Sequence, residues 1–285
     1  MVSLKPYNTY QIDATAKTVY FPDNIQQVQR IVKKHPDIIV LGNGSNVILK
    51  QTHYDQRAFM IFSDNFADVK IQGNQIIAQA GVRLETLARL AYRHGLSGLE
   101  TFYDIPASIG GAMIMNTGAY GDQIYNVVDM VTFYDCQRQC IETRANQQIH
   151  YGYRYSMFQQ ADYIVLEVQL QLVPANQACI YDKMAEIMAQ RKARLPYDPS
   201  AGSVFKRPDY HISVGEMVQS LGLKGYRIGG AQISPKHGGV IINAGGATGQ
   251  DILDLIDFMK HSVQKAYGVE LSLEQVIIDE PNTTV

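Results

Sequence analysis

The chain has 285 residues, of which 46% are hydrophobic and 18% are charged, and its formal net charge is −2. The length suggests one large domain or two ordinary ones, and the composition supports a sizeable core. The small net charge argues against a nucleic acid or an anionic membrane as partner. Three cysteines are too few and odd in number for a disulfide framework, and no apolar run has the length of a signal core or a membrane span. We therefore expect a soluble cytoplasmic protein without a metal site.

The first half of the chain alternates short strands with two amphipathic helices. One helix follows Pro22-Asp23-Asn24 and ends before Pro36, and a second covers residues 83–94 and ends at Gly95. Strands are predicted at residues 19–21, 38–41, 47–49, 59–62, 69–71 and 75–80. The first strand, the first helix and the second strand form a β-α-β unit that ends at a glycine-rich loop.

The second half of the chain divides at residues 173–176, where a series of strands gives way to helices. Before this boundary, strands are predicted at 127–134, 147–151 and 163–172, with a hairpin over 134–143. After it, the pattern predicts helices at 181–191, 213–220 and 248–267, and strands at 240–242 and 276–278. Thr248 and Asp251 resemble an N-terminal cap pair for the last helix. The expected fold class is α+β, with one domain at residues 1–173 and a smaller one at 174–285.

The glycine-rich loop is the stretch Leu41-Gly-Asn-Gly-Ser-Asn-Val-Ile-Leu49 between two predicted strands. Successive backbone N–H groups in such a turn can form an anion-binding nest. Gly and Asn are also ordinary turn residues, so a plain tight turn is the alternative. The loop lacks the Gly-Lys-Ser/Thr ending of a P-loop, and Val47 stands where a Rossmann fingerprint needs its third glycine. A nucleotide bound here would therefore lie in another fold.

A second glycine-rich passage covers residues 105–121, and none of its residues is charged. Solvated loops usually carry charge, because charged side chains are almost always found at the protein surface. We therefore expect this uncharged passage to pack against something, which is either the core or a large ligand.

Three further segments each present one polar residue suited to catalysis. Arg154 lies among aromatic residues, where it either stabilises a developing anion or stacks with its head in solvent. Ser203 follows a glycine and comes shortly before two cations, although its segment also reads as a polar loop. Glu274 stands at the edge of an apolar strand, where a charged residue is common. Only the joint occurrence of these segments is informative.

Together and in this order, the segments resemble the UDP-N-acetylenolpyruvoylglucosamine reductase family, called MurB. The resemblance rests on the two glycine-rich stretches and on the runs at residues 98–100, 153–156, 199–208, 223–230 and 271–274. It spans nearly the whole chain. The glycine-rich loop is shared with other flavoproteins of the same fold, whereas the Ala-Gly-Ser-Val-Phe-Lys-Arg-Pro run at residues 201–208 is much more specific.

The resemblance implies a two-part FAD-binding domain of the vanillyl-alcohol-oxidase type and a smaller α+β substrate-binding domain, with the active site in the cleft between them. It implies that NADPH reduces bound FAD, and that the enolpyruvyl ether of UDP-N-acetylglucosamine is then reduced to UDP-N-acetylmuramate for peptidoglycan synthesis. The chain is similar to the compact members, which lack a substrate-covering tyrosine loop, and we expect a monomer.

The resemblance also assigns roles to single residues. Arg154 and Glu274 would stabilise the enolate-like species, and Ser203 would deliver a proton as general acid, for which it needs a polarising neighbour or a water relay. Tyr120 would pack at the flavin or the sugar. The residues implied for the diphosphate or carboxylate of the substrate are Arg194, Lys206 and Arg207. Those implied for FAD are Gly42, Asn43, Gly44, Ser45, Asn46, Val47, Ile105, Pro106, Ser108, Ile109, Gly110, Gly111, Asn116, Gly118, Ala119, Tyr120 and Gly121.

The sequence departs from the family pattern at three places. Ile12-Asp13-Ala14 replaces a frequent Ile-Gly-Gly, and Ala107 stands where a glycine usually follows Pro106. Gln275-Val276 follows Glu274, where many members have Val-Arg. Two rival hypotheses are a flavin oxidase of the same fold that acts on a sugar or an alcohol, and a flavin- or nucleotide-binding protein without catalysis.

Overall fold

The computed structural model describes residues 1–160 and 162–281, and the chain divides into two compact units. The first unit comprises Met1–Thr18, Gly44–Arg57 and the chain from Arg191 onward. The second unit comprises Val19–Asn43 and Ala58–Gln190. These units differ from the predicted segments 1–173 and 174–285, because two N-terminal segments belong with the C-terminal part of the chain. Strand pairing between residues far apart in sequence causes the difference, and local patterns carry no signal for it.

The described residues contain six α-helices and twenty strands, several of them only two residues long. The helices are α1 Ile25–Lys34, α2 Leu84–Arg93, α3 Ile109–Met115, α4 Gln177–Arg194, α5 Val214–Ser220 and α6 Gly249–Tyr267. The strands are β1 Val2–Ser3, β2 Thr15–Tyr20, β3 Ile39–Leu41, β4 Val47–Leu49, β5 His53–Ile61, β6 Val69–Gln72, β7 Gln75–Gln79, β8 Leu96–Ser97, β9 Gly118–Ala119, β10 Asp122–Gln123, β11 Val128–Asp135, β12 Cys140–Ala145, β13 Tyr151–Gly152, β14 Tyr155–Ser156, β15 Tyr163–Gln171, β16 Val173–Pro174, β17 Arg227–Ile228, β18 Ala231–Ile233, β19 Ile241–Asn243 and β20 Val276–Ile278.

The second unit is built on a five-stranded antiparallel sheet in the order β12-β11-β15-β7-β6. Its strands bury alternate side chains, as in β7, where Ile76 and Ala78 are fully buried. Helix α3 lies so close to this sheet that a Cβ on Gly110 would press on Ala80. In the same unit, β3 pairs in parallel with the second half of β5, with Leu41 opposite Ile61.

The first unit contains a parallel pair, β4 with β20, and an antiparallel sheet in the order β17-β18-β19. Helix α6 begins with a capping box, in which Thr248 accepts from the N–H of Asp251 and the Asp251 side chain accepts in return. Five apolar residues on one side of α6 are buried: Ile252, Leu255, Ile256, Met259 and Val263. Gly268 ends the helix at a φ of 67°.

The mixed helix and strand content confirms the α+β class, and most predicted elements are present. The helix predicted at 181–191 starts earlier, at Gln177, and continues to Arg194. The strand predicted at 147–151 is wrong, because Asn146–Gln148 form a 3-10 turn and only Tyr151 enters a strand. Hydrogen bonds from polar side chains to the backbone favour the turn over a strand there. Asn146 donates to two backbone carbonyls at 2.7 Å, and Gln148 accepts from the N–H of Ala145 at 3.0 Å. None of the described helices has the length and apolar character needed to cross a membrane.

Candidate active site

The glycine-rich loop between β3 and β4 presents a row of unsatisfied backbone donors. Within the described part of the chain, the N–H groups of Gly42, Asn43, Gly44, Ser45 and Asn46 have no hydrogen-bond acceptor. Gly44 has a φ of 60°, and any side chain on it would overlap the carbonyl oxygen of Tyr7. The two strands that flank the loop do not pair with each other, since β3 pairs with β5 and β4 with β20. The loop therefore has the donors of an anion nest and is not a hairpin turn.

The first half of this loop contacts the uncharged passage, and both lie in the second unit. The side-chain amide of Asn43 donates to the carbonyl of Pro106 at 2.6 Å. A Cβ on Gly42 would overlap the hydroxyl oxygen of Ser108, so a larger residue there would have to displace the hydroxyl that accepts from Gly111. The two glycine-rich stretches that the sequence singled out are therefore adjacent in space.

In the uncharged passage, unlike in the glycine-rich loop, the backbone N–H groups at the start of α3 already have hydrogen-bond acceptors. Ile109 N–H donates to Val82 at 2.8 Å, Gly110 N–H donates to Ala80 at 2.9 Å, and Gly111 N–H donates to the Ser108 hydroxyl at 3.3 Å. The expectation that this passage packs closely is confirmed. Its helix start offers a packed surface and no unsatisfied N–H groups, unlike residues 42–46.

The end of the uncharged passage forms a tight hairpin with a strained tip. Strands β9 and β10 are joined by Tyr120 and Gly121, whose φ angles are 53° and 85°. A bulky residue at positive φ is uncommon and marks a position that its surroundings hold in place. Asn116 is also left-handed, and its Oδ1 is a buried side-chain acceptor without a partner among the described residues. This oxygen is available to accept a hydrogen bond from a ligand or a water molecule.

Arg154 lies on a neighbouring hairpin of the second unit. Strands β13 and β14 are joined by Tyr153 and Arg154, and Arg154 has a φ of 53°. Its Nη2 donates to the carbonyl of Gly118 at 2.9 Å, and its guanidinium lies 5.2 Å from the centre of the Tyr153 ring. Asn116 Nδ2 donates across the same interface to Gly152 at 2.9 Å. The side chain is half-buried and both stacks on Tyr153 and bonds to Gly118, and its catalytic role stays a prediction.

Ser203 and Glu274 lie on adjacent segments of the first unit. Val204 N–H donates to Gly239 at 3.0 Å, and Glu274 N–H donates to Val204 at 2.9 Å. Ser203 is exposed, whereas Glu274 is half-buried. The glycine-rich loop contacts the segment of Glu274, because Asn46 Nδ2 donates to the backbone carbonyl of Glu274 at 3.1 Å. The structure therefore brings together the end of the loop and two of the three predicted catalytic residues.

The predicted substrate-binding cations also belong to the first unit. Arg194 is the exposed last residue of α4, Lys206 is half-buried and Arg207 is exposed. The N–H of Lys206 donates to the carbonyl of Ser272 at 2.9 Å, so its backbone is fixed beside the segment that leads to Glu274. Arg154 belongs to the second unit. In the described residues, no group of three or more His, Cys, Asp or Glu side chains is arranged to hold a metal ion.

Tyr10, Gln275 and His237 hold the backbone around Ser203 by hydrogen bonds, and none of them was predicted as a site residue. Gln275 is buried, and its side chain bonds both to Tyr10 and to the turn before Ser203. Burial raises the pKa of Tyr10 far above its usual value, so its hydroxyl stays a donor. His237 is a further support, because its Nδ1 accepts from the N–H of Gly239 at 3.1 Å. The only sequence signal was the departure at Gln275, and nothing in the sequence linked it to Tyr10.

Comparisons with known proteins agree on one family. Residues 194–278 match the family model of the UDP-N-acetylenolpyruvoylglucosamine reductase C-terminal domain, and residues 16–140 match that of an FAD binding domain. The reductase of Francisella tularensis subsp. tularensis is 49% identical over 278 residues, which cover 97% of this chain and 99% of that protein. That of Thermotoga maritima is 36% identical over 275 residues, which cover 95% of each chain. The crystal structure of the same reductase from Thermus caldophilus is 31% identical, with a TM-score of 0.84 over 98% of both chains.

Proposed function

This chain belongs to the UDP-N-acetylenolpyruvoylglucosamine reductase family, an FAD-containing family of oxidoreductases, and on that premise we propose how its own residues carry out the reaction. The reaction is reduction of the enolpyruvyl ether of UDP-N-acetylglucosamine to UDP-N-acetylmuramate, with NADPH as the source of reducing equivalents. The observation that carries the proposal is the 2.9 Å hydrogen bond from Glu274 N–H to Val204, by which the segments of Ser203 and Glu274 lie side by side.

The residues of the glycine-rich loop fit a dinucleotide cofactor. The unsatisfied N–H groups of residues 42–46 are suited to phosphate oxygens, and we assign the diphosphate of FAD to them. The closely packed passage at 105–121 would form a wall of the cofactor site, and the free acceptor of Asn116 would take a donor from the bound molecule or its water. When bound, FAD supplies the hydride that reaches the terminal carbon of the enolpyruvyl group.

Hydride addition leaves negative charge on the carbon next to the substrate carboxylate. Arg154 stabilises that charge as a fixed cation, since its guanidinium is already positioned by Gly118. Glu274 contributes to the same stabilisation through its carboxyl group, by hydrogen bonding at the reacting centre. Both residues act on the transition state, where the charge first appears.

Ser203 then transfers its hydroxyl proton to the charged carbon, and a C–H bond replaces the O–H bond. The serine oxygen regains a proton from solvent, to which Ser203 is exposed. A serine hydroxyl holds its proton tightly, so its orientation toward the acceptor carbon is decisive for the rate. The cations Arg194, Lys206 and Arg207 are proposed to bind the diphosphate or the carboxylate of the substrate.

We further propose the cellular role that follows from the product. UDP-N-acetylmuramate serves peptidoglycan synthesis, which supports cell wall biogenesis, cell shape and cell division. We propose that the enzyme acts in the cytoplasm as a monomer. Size-exclusion chromatography with light scattering at several concentrations tests the last point, and a dimeric mass at all of them would overturn it.

The experiment that tests the function separates its two half-reactions. The purified protein is expected to be yellow, to bleach with NADPH under anaerobic conditions, and to regain its colour when the enolpyruvyl sugar nucleotide is added. The proposed function fails when reduced enzyme is not reoxidised by that compound. Rapid oxygen consumption with a sugar or an alcohol, in place of reoxidation by the enolpyruvyl compound, would favour a flavin oxidase.

A further inference from the structure

Gln275 connects the N-terminal region to the turn that precedes Ser203. Its Oε1 accepts from the Tyr10 hydroxyl at 3.0 Å, and its Nε2 donates to Ala201 at 3.0 Å and to Gly202 at 3.3 Å. Gln275 is 3% exposed, and Tyr10 is fully buried. The Gln275 amide therefore has three hydrogen-bond partners, and two of them are the backbone carbonyls immediately before Ser203.

Gln275 donates to the backbone turn at Ala201 and Gly202, and the conformation of this turn sets the backbone direction at Ser203. Gly202 has a φ of 71°, a left-handed conformation that a neighbouring hydrogen bond helps to select. On the other side of Ser203, the carbonyl of Val204 accepts from the N–H of Glu274. Residues 274 and 275 therefore hold the backbone on both sides of Ser203, one through its main chain and the other through its side chain.

An apolar residue in place of Gln275 would leave a buried hydroxyl and two carbonyls without this partner. Unsatisfied buried groups move toward other partners or water, so the turn would lose its fixed geometry. A small change in the direction of a proton donor has a large effect on rate, because proton transfer requires the donor within hydrogen-bond reach of the acceptor.

We propose that Gln275 is a positioning residue for Ser203: it fixes the turn at Ala201 and Gly202 so that the serine hydroxyl is aimed for proton delivery. This inference rests on the proposed function, in which Ser203 is the proton donor. It assigns to Gln275 an effect on the second half-reaction only, since reduction of the enzyme by NADPH requires no proton from Ser203.

The test is stopped-flow kinetics on Gln275→Leu, with Gln232→Leu as the matched control. Gln232 lies in the same unit and donates to a backbone carbonyl, that of Gly225 at 2.9 Å, which is not part of the turn before Ser203. For Gln275→Leu we expect reoxidation by saturating substrate to slow by about tenfold or more, while reduction by NADPH changes by less than about twofold. Gln232→Leu should leave both rates within about twofold of the original. Equal slowing of both half-reactions, or no slowing of reoxidation, overturns the proposal.

A double variant separates a positioning role from a general structural one. If Gln275 acts through Ser203, adding Gln275→Leu to Ser203→Ala should cause no further slowing of reoxidation. Independent slowing by the two changes would contradict the proposal. Amide hydrogen exchange supplies a second readout, and the peptide covering residues 199–206 should exchange faster in Gln275→Leu than in Gln232→Leu. Unchanged exchange in that peptide would also overturn it.

If Gln275→Leu fails to fold, Gln275→Asn replaces it, because the shorter amide stays polar yet cannot reach Tyr10 and the turn together. The same selective slowing of reoxidation is then expected, and unchanged reoxidation counts against the proposal. Failure of the proposed function is distinguishable, because there the unmodified enzyme itself would not be reoxidised by the enolpyruvyl compound.

Discussion

Asn46 is hydrogen-bonded to the segment 274–276 through both its side chain and its backbone, and Glu274 accepts the side-chain bond. The Asn46 side-chain amide donates to the Glu274 carbonyl at 3.1 Å, and the N–H of Val276 donates back to the Asn46 carbonyl at 2.9 Å. Strands β4 and β20 continue this contact in parallel register, with Val47 opposite Val276. The loop assigned to the cofactor and the segment that contains Glu274, just before β20, are therefore one hydrogen-bonded structure.

Asn46→Ala is expected to weaken both FAD binding and the rate of reoxidation. The substitution removes the side-chain donor that holds the loop against the strand, and one such bond contributes about 0.5–1.5 kcal/mol. Titration of apoprotein with FAD, followed by flavin fluorescence, should show a Kd raised by about threefold to tenfold. Asn74→Ala, in the exposed turn between β6 and β7, is the matched control and should change neither quantity. If Asn46→Ala changes neither the Kd for FAD nor the rate of reoxidation, the bond between Asn46 and Glu274 does not couple the cofactor loop to the catalytic segment.

Ser203→Ala is expected to separate the two half-reactions. Reduction by NADPH should be retained, whereas reoxidation by the enolpyruvyl substrate should slow by about a hundredfold or more, which is the usual contribution of a general acid. Single-turnover stopped-flow measurements at the flavin absorbance check this. Ser272→Ala, an exposed serine on the adjacent segment, serves as the control and should retain both rates. Parallel slowing of both half-reactions by Ser203→Ala would remove the serine from the role of proton donor.

The sequence predicted elements whose signals are local. Helix α6 has its capping box at Thr248 and Asp251 and a glycine stop at Gly268, and both were visible as residue types at fixed spacing. Helix α3 was not predicted, because two glycines in its first turn lower helix propensity. Tertiary contacts compensate, since Val82 and Ala80 accept from its first N–H groups and Ser108 caps it.

The candidate site was predictable only as far as the family resemblance extended. Ser203, Arg154 and Glu274 were each ambiguous by themselves, and the joint pattern of segments gave them roles. The contact between Tyr10 and Gln275 joins residues 265 positions apart, and no periodicity or motif predicts such a pair. The unsatisfied donors of residues 42–46 likewise became distinguishable from a plain turn only when β3 and β4 were seen to pair with different strands.

Arg154→Gly is expected to abolish most activity at little cost in stability. Glycine removes the strain of a φ of 53°, worth about 1 kcal/mol or more, and it also removes the bond to Gly118, worth about the same. The free energy of unfolding in urea should therefore change by less than about 1 kcal/mol. Reoxidation by substrate should slow by about a hundredfold or more, because the cation that stabilises the developing charge is lost.

Gln139→Gly is the control for that prediction, since Gln139 has nearly the same backbone strain, with a φ of 54°, in the exposed turn between β11 and β12. It should stabilise the protein slightly and leave both half-reactions unchanged. Retention of rapid reoxidation in Arg154→Gly, or equal loss in Gln139→Gly, would show that Arg154 has no specific part in the chemistry.

His237 links pH to the backbone beside Ser203. Its Nδ1 accepts from the N–H of Gly239, and the carbonyl of Gly239 accepts from the N–H of Val204 at 3.0 Å. A protonated Nδ1 cannot accept, so this arrangement requires neutral His237. Burial, and then the charge of Lys224, lower the pKa of His237 below its ordinary value. The unfolded chain therefore binds this proton more readily than the folded chain does.

The sign of the stability effect follows from that difference. Above the ordinary histidine pKa of about 6.5 both states are neutral at this site, and as the pH falls below it the unfolded state gains the proton first, so His237 lowers stability. His237→Asn should remove this loss, because an asparagine side chain also accepts from the N–H two residues ahead and does not titrate. Urea unfolding between pH 5 and pH 8 should show a shallower decline for His237→Asn than for the unmodified protein, by up to about 1.4 kcal/mol per pH unit. His261→Asn, at an exposed position on α6, should leave the decline unchanged, and an identical decline in all three proteins would mean that His237 does not couple pH to the fold.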